Sequence, residues 1–476
     1  MAGGTWLGLE TARRGLNTHR YALDITGQNL ANASTIGYTR QEAIIRATDP
    51  YTVPSMNSSC TPGQFGTGSM VDYIRRVKDE YMDNNVRRST SDNGYWADQV
   101  SVMQRAEACF AEPAAKGISQ KIVDFFKSWM DLQNNSGDLG VKSTVVEIGS
   151  NLATLLGTVY KQLNSIEKSV LEVDSSGEVQ GGMMQDQVNQ VNDILTQIND
   201  LTNAIKKVYD VGQQPNDLLD RRDLLLEELS HYGPVHVTDG NTNGKPNGEL
   251  EVTFFGTKVL DSSADLCFND MKLGLDAGNF VIGSAKSGGE IVNLSTKLAD
   301  QEFSGSLVGL VNARQELIAE QDKLNELAIA LKDEVNTILD SSGDDFEKIF
   351  FSGSLADGDF VVNPDLLNDP NKLDGAVADK VSKLRDKDVL GESTFSEYYS
   401  YIVTDVGNAA ANANSMAANQ AAIKQQITSL RDSVSGVSID EELTKMMQFQ
   451  YGWQASSRMI TVVDQLIDTV INRMGV

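Results

Sequence analysis

Cysteine and histidine are both scarce in this chain of 476 residues, which has only three of each. The cysteines are odd in number and far apart, at Cys60, Cys109 and Cys267. Such spacing predicts neither a disulfide framework nor a zinc site. The histidines fall in no metal-ligand or catalytic-triad pattern, and they stand at His19, His231 and His236. The sequence also lacks His-Glu-x-x-His and Gly-x-Ser-x-Gly motifs, so we expect no catalytic residues, no metal and no cofactor.

Positive charge and long hydrophobic runs are lacking as well. The chain has 40 Lys and Arg against 66 Asp and Glu, a formal net charge of -26 at pH 7. Binding nucleic-acid phosphates requires clustered cations, and an acidic surface repels anionic membranes, so neither partner is expected. Charged residues such as Arg13, Arg20 and Asp24 interrupt the start of the chain and exclude the apolar core of a signal peptide. No apolar run approaches the roughly 20 residues that a membrane-spanning helix needs.

Both ends of the sequence carry a narrow apolar seam. Near the start, leucine recurs at every seventh residue, at Leu9, Leu16, Leu23 and Leu30. Near the other end, apolar residues follow steps of three and four from Ile439 to Met474, although Gln450, Ser457 and Asp464 interrupt the pattern. A seam this narrow favours a partner helix over a globular core. We therefore predict that the first and last segments pair as a coiled coil, stabilised further by neighbouring subunits.

The candidate assembly interface comprises these two seams and the turn after the first helix. Its members are Leu9, Leu16, Leu23, Leu30, Asn32, Tyr38, Leu443, Met446, Trp453, Ile460, Ile467 and Ile471. Asn29, Asn32 and Gly37 favour a turn at the end of the helix, and residues 38–46 are expected to be extended. Together, residues 1–40 and 436–476 form the predicted assembly domain.

Helical periodicity dominates the middle of the chain. A stripe at helical spacing indicates core packing, and it consists of Ile122, Phe125, Phe126, Trp129 and Met130. Two long repeats over 145–170 and 184–205 predict helices that run antiparallel. A heptad pattern runs through Leu310, Leu317, Leu324, Leu331 and Ile338. These patterns predict a long antiparallel helical bundle made of residues 41–233, 301–340 and 389–435.

A charged motif precedes the change from helical to β periodicity. Residues 214–223 read Gln-Pro-Asn-Asp-Leu-Leu-Asp-Arg-Arg-Asp, in which Asn216 or Asp217 can cap a helix. We expect Asp220, Arg221 and Asp223 to pair along the side of that helix, at roughly a few tenths of a kcal/mol for each pair.

From Pro234 the pattern is typical of short strands. Four β-rich runs alternate with glycine-containing turns, at Val235–Thr238, Glu249–Phe255, Thr257–Leu260 and Asn279–Ile282. They predict that residues 234–300, with part of 341–388, form an inserted β-rich domain on the outer surface. The expected fold is therefore an elongated, mainly α protein with a β-rich insert.

The terminal motifs resemble the signatures of bacterial flagellar axial proteins. The first is Gly8-Leu-x-x-Ala-x-x-Gly-Leu16, followed by Gln28-Asn-Leu-Ala-Asn-Ala-Ser-Thr-Ile-Gly-Tyr-Thr-Arg-Gln41, and the second spans Ser435 to Leu466. The form of residues 37–41, the 214–223 motif and residues 305–314 are most similar to the hook-associated proteins that join hook to filament.

The resemblance implies a structural protein of the hook-filament junction whose terminal helices are poorly ordered in the free subunit and fold on docking. The implied partners are a ring of its own copies, hook protein, the second hook-filament junction protein, and the flagellar type III export apparatus with its chaperone. Composition alone would suggest a cytoplasmic protein, whereas the resemblance implies export, without a cleaved signal peptide, to the extracellular flagellum.

Two alternatives remain open from the sequence. A hook or distal rod protein would share the first motif in a looser form. In a different class, the β-rich insert would make the chain a secreted surface adhesin. Glycan binding by residues 234–300 would favour the adhesin, and filament attachment would favour the structural role.

Overall fold

The computed structural model describes residues 2–50, 66–110, 117–174, 179–242, 245–261, 271–276, 279–284, 292–293, 304–340 and 349–473. Within these ranges the chain is mainly helical, as predicted. The helices, in chain order, are α1 (Ala2–Ala31), α2 (Glu80–Cys109), α3 (Ile118–Asn134), α4 (Leu139–Val170), α5 (Met183–Asp210), α6 (Asn216–Tyr232), α7 (Ser306–Asp340), α8 (Pro364–Asn368), α9 (Ala378–Ser382), α10 (Phe395–Ser435) and α11 (Ile439–Asp468). A π-helical turn, Thr469–Arg473, continues α11.

The strands form small antiparallel sheets. They are β1 (Gln41–Ala47), β2 (Ser69–Arg76), β3 (Glu172–Val173), β4 (Val179–Gly181), β5 (Val235–Thr242), β6 (Lys245–Phe254), β7 (Thr257–Asp261), β8 (Met271–Asp276), β9 (Asn279–Ser284), β10 (Val292–Asn293), β11 (Phe351–Ser352) and β12 (Val361–Val362). Strands β1 and β2 pair with each other, as do β3 with β4 and β11 with β12. The two three-stranded sheets have the orders β5-β6-β7 and β10-β9-β8.

Acidic and hydroxyl side chains fix where several helices begin. Asp79 accepts hydrogen bonds from the Tyr81 and Met82 amides at the start of α2. At the start of α10, Thr394 and Glu397 form a reciprocal capping box. Each cap satisfies amides that have no partner inside the helix, typically for about 1 kcal/mol.

Helix α2 lies at the centre of the helical body, where it packs against α6, α7 and α10. Two glycines allow close approach to its neighbours. A Cβ at Gly94 of α2 would overlap the carbonyl oxygen of His231 at the end of α6. A Cβ at Gly309 of α7 would overlap the carbonyl oxygen of Tyr95. Helix backbones therefore touch at both crossings.

The predicted aromatic stripe of α3 packs in the core. Phe125, Phe126 and Trp129 are at most 1% exposed. The Phe125 ring centroid lies 5.6 Å from the centroids of both Phe350 and Phe351, which anchors the segment after α7. Met130 differs from the prediction, because it is 41% exposed and lies outside the buried stripe.

The strands between α6 and α7 share their core with the helices. Buried residues of β6, the β6–β7 turn and β7 belong to the same apolar cluster as the helical body, and include Leu250, Val252, Phe254, Phe255, Val259 and Leu260. Strand β6 packs against α5. Four of the predicted β-rich runs coincide with β5, β6, β7 and β9.

The long helices α4 and α5 have different main neighbours. Helix α4 packs mainly against α3 and α7, whereas α5 packs mainly against α6 and β6. The short β3–β4 pair connects the two helices. An antiparallel α4–α5 hairpin is therefore not the main packing unit, because the apolar faces of the two helices are covered by other elements.

Two of the three cysteines, Cys60 and Cys267, lie outside the described residues, as does the segment 341–348. Cys109 is a half-buried free thiol at the end of α2, and burial raises its pKa. No helix in the described ranges combines enough length and apolar character to cross a membrane.

Candidate assembly interface

The two terminal helices pack against each other, and their contacts run in opposite directions along the sequence. A Cβ at Gly15, in the middle of α1, would lie 3.1 Å from the Ser456 hydroxyl oxygen. Near the end of α1, Asn29 reaches Glu442 in the first turn of α11. The partner number on α11 falls as the residue number on α1 rises, so α1 and α11 are antiparallel. We call these two helices the terminal pair.

Small residues let the terminal pair approach closely. The His19 ring lies over Gly452, where an added Cβ would be 2.6 Å from the ring atoms. The ring centroid of His19 lies 6.2 Å from that of Phe449. Burial lowers the pKa of His19, so this imidazole is neutral at neutral pH.

Helix α1 also contacts the β1–β2 hairpin on a second face. The Thr18 hydroxyl donates a hydrogen bond to the Ser69 carbonyl oxygen of β2 at 3.0 Å. Because α1 lies between α11 and this hairpin, its buried positions are small or polar as often as they are apolar. They are Ala12, Thr18, Ala22, Ile25, Thr26 and Asn29.

The predicted interface residues occupy different environments in the single chain. Seven are partly buried, namely Leu9, Leu16, Leu23, Leu30, Met446, Ile460 and Ile467. Leu443, Trp453 and Ile471 are more exposed, at 41%, 38% and 65%. Asn32 bonds locally, since its amide donates to the Gln28 carbonyl oxygen at 3.0 Å. Tyr38 is partly buried and belongs to the hydrogen-bonded group described next.

The amide of Asn29 joins four parts of the chain. Its Nδ2 donates to the Gln41 carbonyl oxygen at 2.8 Å and to Glu442 Oε2 at 2.9 Å. Its Oδ1 accepts from the Tyr38 hydroxyl at 2.9 Å and from the Gln41 amide at 3.0 Å. Both donors and both lone pairs of this amide are therefore in use, at a residue with no exposed surface.

The Gln41 side chain connects this group of hydrogen bonds to α6. Its Nε2 donates to Asp217 Oδ1 at 3.0 Å, and its Oε1 accepts from Asn216 Nδ2 at 3.1 Å. We call this connected group the polar network; its members are Asn29, Tyr38, Gln41, Asn216, Asp217 and Glu442. Burial, together with nearby carboxylates including Asp217, raises the pKa of Tyr38, so its hydroxyl keeps its proton and remains a donor.

A buried ion cluster lies beside the polar network and holds the hairpin to α6. Arg76 Nη1 contacts Asp220 Oδ1 at 2.9 Å and Asp223 Oδ2 at 2.8 Å. Lys78 Nζ lies 2.8 Å from Asp223 Oδ2, and the Thr39 amide donates to Asp220 Oδ2 at 3.1 Å. Burial alone would raise the pKa of Asp223, but the charges of Lys78 and Arg76 outweigh it and lower the pKa to about 2.

The predicted ion pairs along the side of α6 are wrong for two of the three residues named. Asp220 and Asp223 instead pair with Arg76 and Lys78, which lie far away in sequence. The next residue in the motif, Arg222, is 2% exposed and donates to Asp239 Oδ1 of β5 at 2.6 Å. The charged side chains of this motif therefore contact different elements, because α6 is covered on most sides. Asp220 and Asp223 contact Arg76 of β2, whereas Arg222 contacts β5.

The turn between α10 and α11 completes the site. The Arg40 amide donates to the Ser435 carbonyl oxygen at 2.9 Å, and Arg40 Nη1 lies 2.9 Å from Glu441 Oε2. An open cleft of about 640 Å³ lies here, lined by residues 33–40, by α6 and by the α10–α11 turn. The beginning motif, the α6 motif and the end motif thus meet in one place.

Four parts of this site were not predicted from the sequence: Asn29, Gln41, Arg76 and Glu442. A signal existed, because Asn29 and Gln41 lie inside the first terminal motif and Glu442 inside the second. Apolar periodicity does not select polar residues, so the seam pattern did not indicate these positions.

The site consists of hydrogen bonds and ion pairs between structural elements. Among the described residues, no three metal-binding side chains come together.

Family comparisons cover the same three motifs. Residues 103–348, more than half of the chain, match the family described as "Flagellar hook-associated protein FlgK helical domain". Residues 431–474 match "Flagellar basal body rod FlgEFG protein C-terminal", and residues 9–39 match "Flagella basal body rod protein". The two rod matches contain most of α1 and all of α11, and the helical-domain match contains α6.

Whole-length relatives show the same pattern. The chain is 29% identical to flagellar hook-associated protein 1 of Bacillus subtilis (strain 168), over 99% of each chain. It is 22% identical to flagellar hook-associated protein 1 of Escherichia coli (strain K12), over 98% of this chain and 99% of that one. A solved structure of the flagellar hook junction protein FlgK from Burkholderia pseudomallei is 23% identical, covering 54% of this chain and 43% of that chain at a TM-score of 0.43.

The match over residues 103–348 is to a helical domain named for the hook-associated protein, in addition to the rod-type matches at the two ends. This chain therefore belongs to the FlgK family of flagellar hook-associated proteins, which are structural components of the hook-filament junction.

Proposed function

We propose that the chain joins hook to filament by assembling into a ring through its terminal pair, while the helical body forms the wall outside it. The proposed units are a terminal assembly domain of residues 1–40 and 436–476, a helical body, and a β-rich outer part that includes residues 234–300. The partners are other copies of the chain, hook protein and the second hook-filament junction protein. Export before assembly uses the flagellar type III apparatus and a chaperone, which places the protein in the extracellular flagellum.

One observation carries the proposal: α11 and the π-helical turn after it carry a stripe of exposed apolar residues. Its members follow steps of three, four or eight residues, and they are Leu443, Met447, Tyr451, Met459, Val462, Leu466 and Val470. Each is between 41% and 70% exposed. The stripe extends over 28 residues, or roughly 40 Å at 1.5 Å per residue. Exposed apolar side chains repeated over this length mark a contact with another protein.

The terminal pair is well suited to complete its folding on assembly. Its internal contacts use small residues such as Gly15, Gly452 and Ser456, which bury little apolar area. Most of the apolar surface of α11 is instead available to neighbours. The pair therefore gains much of its stability from other subunits, as expected for terminal segments that are poorly ordered in the free chain and fold on docking.

The stripe predicts a specific assembly defect. Replacing Met459 and Leu466 by Glu puts two charges on the stripe, at side chains that are each 55% exposed. Cells that carry this variant as their only copy should make hooks, lose filaments and release flagellin into the medium. The matched control replaces Gln450 and Gln465, two exposed polar positions of α11, by Glu, and it should retain filaments.

The assay counts attached filaments by microscopy and measures flagellin in the medium by immunoblot. Circular dichroism of both purified variants checks that helix content is unchanged. Filaments that remain attached in the stripe variant, at the level of the glutamine control, would contradict the proposal.

A further inference from the structure

The polar network connects two contacts that α1 and its linker make with different elements. At one end, Glu442 on α11 is 1% exposed, and its two oxygens accept from Asn29 at 2.9 Å and from Lys445 at 2.8 Å. At the other end, Asp217 on α6 accepts from Gln41. Between the ends, Asn29 and Gln41 are joined by two hydrogen bonds. The bonds therefore form an unbroken path from α11 to α6.

The burial of Glu442 depends on α1 being in place. A buried carboxylate requires hydrogen-bond donors and a compensating charge. Lys445 lies on the same helix and is available whether or not α1 is docked, whereas Asn29 arrives only with α1. Pairing of α1 with α11 thus supplies the second donor to Glu442 and orients the Asn29 amide.

An oriented Asn29 amide in turn fixes the linker that follows α1. Its Oδ1 receives the Gln41 amide and the Tyr38 hydroxyl, which sets the path of residues 38–41. On that path the Thr39 amide reaches Asp220 and the Gln41 side chain reaches Asp217. Without Asn29, three polar groups of the linker would need other partners, namely the Tyr38 hydroxyl and the Gln41 amide and carbonyl.

We propose that Asn29 couples the pairing of the terminal helices to the docking of residues 38–41 on α6. Glu442 and Asp217, at the two ends of the polar network, are positioning residues that set the orientation of the terminal pair relative to the helical body. The biological role of this coupling rests on the proposed function in the junction. The coupling itself is a property of the single chain and can be measured in the purified protein.

The test first locks the terminal pair so that its formation is not a variable. A Cβ at Gly15 would lie 4.0 Å from the Ser456 Cβ, within the usual spacing of about 3.5–4.5 Å for a disulfide. The full chain therefore carries Gly15→Cys and Ser456→Cys, with Cys60, Cys109 and Cys267 replaced by serine. Oxidation should give an intramolecular bond in the monomer, and failure to form that bond would overturn the pairing on which the coupling depends.

Hydrogen exchange in the oxidised chain then measures docking of the linker, from the amides of Thr39 and Gln41. Glu442→Ala should speed exchange of these amides by roughly tenfold or more, the effect of about 1.4 kcal/mol in an equilibrium, although Glu442 bonds neither of them. Glu442→Gln keeps an acceptor for Asn29 and should restore part of the protection. The control is Asp440→Asn, which removes an exposed carboxylate two residues away on α11 and should change exchange less than twofold.

The double variant decides between coupling and independent effects. If the ends act through one network, Glu442→Ala combined with Asp217→Ala should speed exchange little more than the larger single substitution. Exchange factors that multiply would show that the two ends act separately, and an unchanged linker in Glu442→Ala would show no connection; either result overturns the proposal. A failure in the cell assay with an intact network would instead count against the proposed function alone.

Discussion

Replacing Arg76 by Met should release the β1–β2 hairpin from α6. Arg76 bridges Asp220 and Asp223, at 2.9 and 2.8 Å. The side chains involved are 11% exposed for Arg76, and 7% and 22% exposed for the two aspartates. Methionine is similar in length to the apolar part of arginine but carries no charge. It therefore leaves one of the two carboxylates without its main partner.

The expected loss of stability in Arg76→Met depends on the interactions that the two aspartates keep. Removing one member of a buried ion pair costs about 3–5 kcal/mol. Here Lys78 still compensates Asp223, and the Thr39 amide still bonds Asp220. We therefore expect a loss of about 2–4 kcal/mol, somewhat below the range for a fully isolated charge.

Hydrogen exchange of the hairpin amides measures this loss locally. The expected cost corresponds to exchange that is roughly 30- to 1,000-fold faster over β1 and β2, because each 1.36 kcal/mol is a factor of ten. Arg75→Met is the matched control in the adjacent position of β2. Arg75 pairs with Glu42 at 2.9 Å, but the two side chains are 54% and 42% exposed, so less than about 1 kcal/mol should be lost.

A second substitution separates the charge effect from packing. If the cost arises from an uncompensated carboxylate, Arg76→Met combined with Asp220→Asn should recover at least half of the lost protection. Equal effects of Arg75→Met and Arg76→Met, or no recovery in the double variant, would refute the assignment of this stability to the buried cluster.

Two further predictions concern the helical body and its response to acid. Gly309→Ala should destabilise the protein by about 1–3 kcal/mol, because the new methyl overlaps the Tyr95 carbonyl oxygen. Gly157→Ala should stabilise it by about 0.5–1 kcal/mol, because the new methyl enters open space on a helix. Urea denaturation midpoints of the two variants that move in the same direction would contradict this. The pKa of Asp223 falls from 3.8 to about 2 on folding, so its contribution of about 2 kcal/mol is present above pH 4 and lost as pH falls towards 2. Stability measured between pH 5 and 2 should therefore fall less steeply in Asp223→Asn, and parallel curves would exclude the effect.

Apolar periodicity predicted the parts of the fold in which buried side chains repeat regularly. The α3 stripe is an example, because Phe125 and Trp129 face a continuous core. Met130, one position beyond Trp129, was included wrongly because it adjoins the stripe without facing the core. The β-rich runs were found because they combine β-branched residues with glycine turns, but the sequence does not show that they share a core with α5 and α6.

The candidate site was harder to predict, for a physical reason. The side of α11 that meets α1 is made of residues such as Glu442, Gly452 and Ser456, so it carries little apolar signal. The apolar pattern of α11 lies largely on its exposed side. Ion-pair partners were also hidden, since Arg76 and Asp220 are 144 residues apart and no local rule joins them.

The hydrogen bond between Asn29 and Glu442 closes a loop of 413 residues. At a synthesis rate of about 5–20 residues per second, α1 leaves the ribosome roughly 20 to 80 s before its partner helix exists. Contacts of such long range are also among the slowest to form. The newly made chain therefore passes through a long period in which its first helix can contact the β1–β2 hairpin but has no partner helix, and the terminal pair can form only after synthesis is nearly finished.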